Sequence, residues 1–130
     1  MKIVQPDGWP RPRGYANATL TQAGRMLFVS GQIGWDEREQ FVANDLPGQV
    51  RQALRNVVAI VTAAGGVPEN VARLTWYVLD KRDYLANARA IGAAYREVMG
   101  GHFPAMSVVE VRALVEDLAL VEIEATAVLL

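Results

Sequence analysis

The chain has 130 residues, with 13 basic and 14 acidic side chains and a net charge of -1, and 52% of its residues are hydrophobic. This is the length of one ordinary domain, so we predict a single domain over residues 1–130. Lys and Arg are dispersed, which gives no basic patch for nucleic acid, and we expect no nucleic-acid partner. The high apolar fraction favours self-association, because apolar surface that folding leaves exposed can be covered by another copy.

Cysteine and histidine content limits the possible chemistry. There is no cysteine, and His102 is the only histidine. Disulfides, thiolate nucleophiles and cysteine-based zinc sites are therefore excluded, and one chain cannot form a histidine cluster. We predict no metal site. No segment approaches roughly 18 unbroken apolar residues and the N-terminus lacks a signal-peptide run, so we expect a cytoplasmic protein without a membrane partner.

The first third of the chain predicts strands and loops. Residues 1–14 are rich in Pro and Gly, which predicts an irregular arm. Two β-rich runs follow at 18–21 and 26–30, and the intervening Gln-Ala-Gly-Arg predicts a hairpin in which Gly24 takes an unusual φ angle. The polar stretch that begins at Ser30 predicts a loop.

Two segments predict helices. Apolar residues recur at helical spacing over 47–64, with Pro47 suited to the first turn. A second apolar stripe runs over 83–99, where Asp83 is a good N-cap and Gly100 a good stop.

Three further strands are predicted at 71–79, 105–111 and 118–128, and alternation places Val121 and Ile123 on one side and Glu122 and Glu124 on the other. The predicted order is β-β-α-β-α-β-β, an α/β (α+β) fold with two helices packed on one face of the sheet. The opposite face stays partly apolar unless a subunit covers it.

Candidate site residues are isolated polar groups, because the chain has no P-loop, dinucleotide fingerprint, zinc-protease helix or nucleophile elbow. Glu122 lies in an apolar strand, so its carboxylate is either solvated or held in a site. Ser30 can form a turn or contact a ligand, and Tyr15 can anchor the arm or reach a ligand. We expect His102 to cap or pack, and Trp35 and Trp76 to pack.

Four motifs, in this order and at these separations, resemble the RidA/YjgF family over about residues 14–128. They are Gly14-Tyr15, the run Phe-Val-Ser-Gly-Gln-Ile at 28–33, Phe-Pro-Ala-Met-Ser-Val-Val-Glu-Val at 103–111 and Val-Glu-Ile-Glu-Ala at 121–125. The resemblance implies a chorismate-mutase-like fold and a homotrimer that binds a small molecule in three clefts between subunits.

The resemblance also implies an activity, since characterised members hydrolyse reactive enamines and imines to carbonyl products and ammonia without a cofactor. Carried over by position, Glu122 is the catalytic residue that orients or activates water. Tyr15, Ser30, Gly31 and Met106 are then the substrate-binding residues.

Met106 departs from the family pattern. Members with established deaminase activity carry an Arg there, which grips the substrate carboxylate in a bidentate pair. Methionine offers only a flexible apolar wall. We therefore expect a less acidic or more apolar ligand, or one anchored by Arg112, Arg13 or His102.

Two functions stay open from the sequence. One is a cofactor-independent imine or enamine deaminase, a hydrolase with altered substrate preference. The other is a non-catalytic trimeric module that binds or senses a small metabolite. The ribonuclease label often attached to this family finds little support in the near-neutral charge and the single His102.

Overall fold

The computed structural model describes residues 1–130. Nine helices and strands follow one another along the chain: β1 Lys2–Val4, β2 Ala18–Leu20, β3 Arg25–Gln32, α1 Leu46–Ala63, β4 Val71–Val78, α2 Lys81–Ala86, α3 Ala88–Met99, β5 Ala105–Glu110 and β6 Val121–Leu129. None of the helices is both long and apolar enough to cross a membrane.

A four-stranded mixed sheet organises the chain, in the order β3-β6-β4-β5. The strand β6 is antiparallel to both of its neighbours, β3 and β4. The strands β4 and β5 are parallel, and the helices α2 and α3 make the crossover that a parallel pair requires. Because β6 is central, its side chains on one face meet the helices and those on the other face do not.

The core lies between this sheet and the helices α1 and α3. Val121 and Ile123 are fully buried, whereas Glu122 and Glu124 are half-buried on the opposite face, as the alternation predicted. Leu54 of α1 is also fully buried. The prediction of helices packed on one face is therefore confirmed.

The opposite surface, which we call the open face, carries no helix. Met26 and Phe28 are 57% and 73% exposed there, and Val109 is 44% exposed. Two large exposed apolar side chains on one strand are unusual for a surface that meets only water. The open face is thus a candidate surface for self-association.

The predicted hairpin between residues 18–21 and 26–30 is wrong. Strand β2 pairs with β1, so residues 2–4 form a strand and only the rest of the predicted arm is irregular. Strand β3 pairs instead with β6, whose longer register offers more hydrogen bonds. Gly24 takes no positive φ; a Cβ there would lie 2.6 Å from the Leu129 carbonyl oxygen, so close approach explains the glycine.

The second predicted helix begins earlier and is interrupted. Asp80 is the N-cap of α2, and its carboxylate accepts hydrogen bonds from the Arg82 and Asp83 amides at 2.9 and 3.3 Å. The predicted cap, Asp83, lies inside the first turn. Its carboxylate accepts a hydrogen bond from Asn87 Nδ2 at 2.7 Å, at the residue where α2 ends and α3 begins.

Candidate functional site

Three of the predicted site residues meet where β3 and β6 pair. The register shifts between Val29 and Gln32, and this irregularity contains Ser30 and Gly31. A Cβ on Gly31 would lie 2.6 Å from Glu122 Cδ, so only glycine allows the carboxylate to occupy its position. We call Ser30, Gly31 and Glu122 the Glu122 half-site.

The loop that follows Gly31 is tied to α1. Asn56 Nδ2 donates hydrogen bonds to the carbonyl oxygens of Ile33 and Trp35 at 3.1 and 2.8 Å. The Glu122 half-site therefore rests on a segment whose backbone is bonded to a core helix. From the sequence, Asn56 was not identified as a residue that supports the site.

Buried Gln49 was also missed, although a polar residue inside an apolar stripe is a readable signal. Its amide nitrogen donates to the carbonyl oxygens of Ala43 and Leu118 at 3.1 and 2.9 Å, and its oxygen accepts from the Leu120 amide at 2.8 Å. The side chain is 1% exposed. It joins the loop before α1 to the segment that enters β6.

Glu122 and Glu124 differ although both lie on the open face. The Tyr77 hydroxyl donates a hydrogen bond to Glu124 Oε1 at 2.7 Å. This hydrogen bond, with desolvation and the nearby negative charges, raises the pKa of Tyr77 above its usual value. One oxygen of Glu124 is thus engaged, and Glu122 is the carboxylate of this pair that is packed against the Gly31 backbone.

Tyr15 and Met106 meet in a second place. They line a cavity of about 320 Å³ together with Arg13, Gly14, Tyr84 and Val108. Burial raises the pKa of Tyr84, so its hydroxyl stays protonated at neutral pH. We call Arg13, Tyr15, Tyr84, Met106 and Val108 the Tyr15 half-site.

The arm that carries Tyr15 is joined to the sheet edge just beyond that residue. The Ala16 amide donates to the Pro104 carbonyl oxygen at 3.0 Å, and Ala16 pairs with Ala105 at the start of β5. This pairing brings the arm alongside the strand that carries Met106. Arm and strand together therefore form the cavity.

The two half-sites lie on opposite sides of the sheet. Met106 pairs with Leu74, a buried residue that faces the helices, whereas Glu122 pairs with Tyr77 on the open face. Side chains that are paired across strands point to the same face. Within one chain, the structure therefore brings Ser30, Gly31 and Glu122 together but keeps them apart from Met106.

His102, Trp35 and Trp76 have packing roles. His102 Nε2 lies 2.7 Å from the Val71 carbonyl oxygen, which occupies that ring nitrogen. Trp76 is 2% exposed and stacks on Tyr95, and Trp35 packs against Phe41. No group of three or more His, Cys, Asp or Glu side chains is arranged to hold a metal ion.

Comparison with known proteins agrees with this α+β fold. The model of one protein family, described as Endoribonuclease L-PSP, matches residues 10–129. The chain belongs to this family. The proteins that it matches include RutC, Rid and YjgF proteins. The chorismate-mutase-like fold expected from the resemblance is confirmed.

Two relatives illustrate the sequence similarity. A 2-iminobutanoate/2-iminopropanoate deaminase of Salmonella typhimurium is 42% identical over 105 residues, which are 81% of this chain and 80% of the relative. A RutC family protein of Pyrococcus horikoshii is 36% identical over 127 residues, 97% of this chain and 96% of the relative.

Two solved structures show the likeness of the fold. The Rid family protein YyfB of Yersinia pestis has a TM-score of 0.88 at 35% identity and covers 98% of both chains. Escherichia coli TdcF with bound serine has a TM-score of 0.70 at 32% identity, over 98% of both chains.

Proposed function

We propose that the protein is a cofactor-independent hydrolase of a reactive imine or enamine and that it releases a carbonyl product and ammonia. The observation that carries this proposal is the packing of the Glu122 carboxylate against the Gly31 backbone beside Ser30. That arrangement occurs in a chain 42% identical to a 2-iminobutanoate/2-iminopropanoate deaminase over 105 residues. It presents a proton acceptor on a surface from which water can approach.

The reaction adds one water and needs no redox step. Glu122 accepts a proton as the water oxygen bonds to the carbon of the C=N group, and that proton passes on to nitrogen. The hydroxyl proton of the resulting amino alcohol then passes to its nitrogen, the C–N bond breaks with its electron pair moving to nitrogen, and ammonia leaves as the carbonyl C=O bond forms. The hydroxyls of Ser30 and Tyr15 would bind substrate and stabilise charge on the reacting nitrogen.

The catalytic cleft would form between subunits of a homotrimer. Support comes from the separation of the half-sites, since the Glu122 half-site and the Tyr15 half-site of one chain lie on opposite sides of its sheet. Support also comes from the open face, where exposed Phe28 and Met26 would be covered by a neighbouring subunit. A Tyr15 half-site from one subunit would then face the Glu122 half-site of the next.

The ligand would be a small molecule with an apolar side chain. Tyr15, Tyr84, Met106 and Val108 are four of the six residues that line the cavity of the Tyr15 half-site. Small-molecule sites are mostly apolar, with few polar groups that set orientation. Met106 would therefore shift the preference towards apolar imines.

Ammonia release from imines that an amino-acid oxidase generates in place tests the proposal. We expect the natural protein to accelerate release, and Glu122→Gln to lower the rate constant about 100- to 10,000-fold, the usual range for removal of a general base. Glu124→Gln is the matched control, because Glu124 lies two residues away on the same face and is bonded to Tyr77. Equal losses in the two variants would contradict the assignment of Glu122.

A second candidate function is a trimeric module that binds a metabolite without turning it over. The uncharged Met106 wall favours it, because the Arg expected at that position in active members is absent. In that case Glu122→Gln changes ligand binding only modestly. Ammonia release by Met106→Arg, with none by the natural protein, would favour this candidate over the deaminase.

A test of RNA binding distinguishes both candidate functions from the endoribonuclease activity that the family description suggests. The chain has a net charge of -1. A filter-binding titration of single-stranded RNA at rising salt should show no binding. Tight binding that weakens steeply with salt would instead support a nucleic-acid function.

A further inference from the structure

Arg13 is the charged member of the Tyr15 half-site. The other side chains that line the cavity belong to Tyr15, Tyr84, Met106 and Val108. We infer that the Arg13 guanidinium binds the carboxylate of the ligand and supplies, from the arm, the charge that Met106 cannot supply from β5. This inference rests on the proposed function and names the substrate class as anions with an apolar side chain.

The charge of Arg13 is available to a ligand. The ion pairs of the chain both involve Glu97, which binds Arg51 and Arg55 at 2.7 and 3.3 Å. Arg13 is exposed and takes part in neither. An exposed guanidinium on a residue that lines an apolar cavity can form the two parallel hydrogen bonds that match a carboxylate.

The path of the arm also determines which cavity Arg13 lines. Arg11 lines a different cavity of about 570 Å³, with Trp9 and Phe103 among its walls, and Tyr15 lines both cavities. The Ala16 amide is bonded to the Pro104 carbonyl at 3.0 Å, three residues beyond Arg13. Arg13 and Arg11 are therefore equivalent in charge and different in the cavity they reach.

The alternative anchors are less suitable. His102 has one ring nitrogen bonded to the Val71 carbonyl oxygen at 2.7 Å and belongs to the walls of the Arg11 cavity. Arg112 lies in the segment after β5 and lines neither of the two cavities that contain Tyr15. Arg73 is on the open face near Glu124, away from Met106.

The test compares two imines with the same hydrocarbon skeleton, one anionic and one without a carboxylate. An L-amino-acid oxidase generates the first from leucine, and an amine oxidase generates the second from isoamylamine. Relative to the natural protein, Arg13→Met should lower kcat/KM on the anionic imine about 10- to 100-fold, the effect of losing one charge-assisted pair. Activity on the uncharged imine should be unchanged.

Two further variants sharpen the result. Arg11→Met should leave both activities unchanged, since Arg11 lines the other cavity. Arg13→Lys should retain part of the anionic activity, because a lysine keeps the charge without the planar fork. Equal losses on both imines would indicate a structural role and would overturn the inference.

Failure of the inference can be separated from failure of the proposed function. If the natural protein hydrolyses the anionic imine and Arg13→Met does so equally well, the anchor is wrong and the deaminase stands. If neither imine is hydrolysed, the deaminase fails, and calorimetric titration with 4-methyl-2-oxopentanoate decides on Arg13. Binding that weakens about 10-fold or more in Arg13→Met supports the anchor, whereas equal binding or none overturns it.

Discussion

The Glu122 half-site and the Tyr15 half-site are built in different ways. Glu122 is positioned by the central strand of the sheet and by the absence of a side chain on Gly31. Tyr15 and Arg13 come from an irregular arm that is joined to the sheet edge by the pairing of Ala16 with Ala105. The Glu122 half-site is thus fixed by two neighbouring strands, whereas the two arm residues of the Tyr15 half-site come from an irregular segment and only its other members belong to α2 and β5.

Under the proposed function, this difference separates reaction from recognition. A carboxylate that must meet a water at a defined distance benefits from rigid strands, because small displacements reduce the rate strongly. A surface that selects ligands can change by substitution on an arm without disturbing the core. Under the proposed function, an anchor at Arg13 in place of one at position 106 is the kind of change that this division permits.

The largest expected effect follows from preventing assembly, which would separate the Glu122 half-site of one subunit from the Tyr15 half-site of the next. Phe28→Lys places a charge on the open face, where Phe28 is 73% exposed in one chain and would be buried in a trimer. Burying that charge in an apolar interface is strongly unfavourable, so assembly should fail and ammonia release should fall to background. Light scattering gives the mass of the assembly.

Val67→Lys is the control for this experiment. Val67 is 52% exposed in the turn between α1 and β4, outside the four strands of the sheet. The Val67→Lys substitution should leave both the assembly and the activity unchanged. A natural protein that is monomeric by light scattering would contradict the proposed cleft between subunits.

Gly31→Ala should damage the Glu122 half-site while leaving the fold intact. The added Cβ would meet the end of the Glu122 side chain at 2.6 Å, and that carboxylate can move aside. We expect kcat/KM to fall about 100-fold, because the carboxylate would be displaced from the water. Thermal unfolding should change little.

Gly24→Ala serves as the comparison for Gly31→Ala, because it should lower the stability of the fold rather than act on the Glu122 half-site. The added Cβ would meet the Leu129 carbonyl oxygen at 2.6 Å, and backbone cannot move aside as a side chain can. The free energy of unfolding should fall by about 1 to 3 kcal/mol. Normal activity in Gly31→Ala would show that the contact with Glu122 does not matter for catalysis.

Met106→Arg should restore an anchor to the Tyr15 half-site when Arg13 has been removed. In the Arg13→Met background, the new guanidinium lies in the same cavity, so kcat/KM on the leucine-derived imine should recover by about 10-fold. The same substitution should change activity on the uncharged imine much less. No recovery would mean that arginines at positions 13 and 106 do not bind the same ligand carboxylate.

Tyr95→Phe should give the smallest effect and should act on the support of the arm. The Tyr95 hydroxyl donates to the His102 carbonyl at 2.6 Å, and its ring stacks on Phe103, in the loop that leads to Pro104. Loss of this hydrogen bond should lower the free energy of unfolding by about 0.5 to 1.5 kcal/mol at pH 7.

The effect of Tyr95→Phe should also depend on pH. Burial raises the pKa of Tyr95 above its usual value of 10.0, so the folded protein keeps a proton that the unfolded chain loses at alkaline pH. Stability from this group is therefore complete below pH 10 and declines above it. The variant should lose less stability than the natural protein above pH 10 in chemical denaturation, and an unchanged pH slope would contradict this.

Much of the fold was predictable from local patterns. Alternation in β6 correctly separated Val121 and Ile123 from Glu122 and Glu124, because a strand that is covered on one face needs a period of two. The partner of β3 was not predictable from neighbouring residues. It is β6, almost a hundred positions away, and that pairing depends on the whole sheet.

The sequence by itself determined the family, the fold and the residue types of the candidate site. Short motifs around Tyr15, Ser30, Met106 and Glu122 are local in the chain and can be read without coordinates. Composition likewise excluded cysteine chemistry, since the chain has no cysteine.

Only the tertiary structure decided which of these residues meet. It placed Glu122 against Gly31 and put Met106 on the opposite side of the sheet. Of the three cations that the sequence left open as anchors, it put only Arg13 in the cavity that Met106 lines. The physical reason is that strand order and the path of the arm arise from long-range pairing and packing. Those interactions join residues far apart in the chain, and no local pattern encodes them.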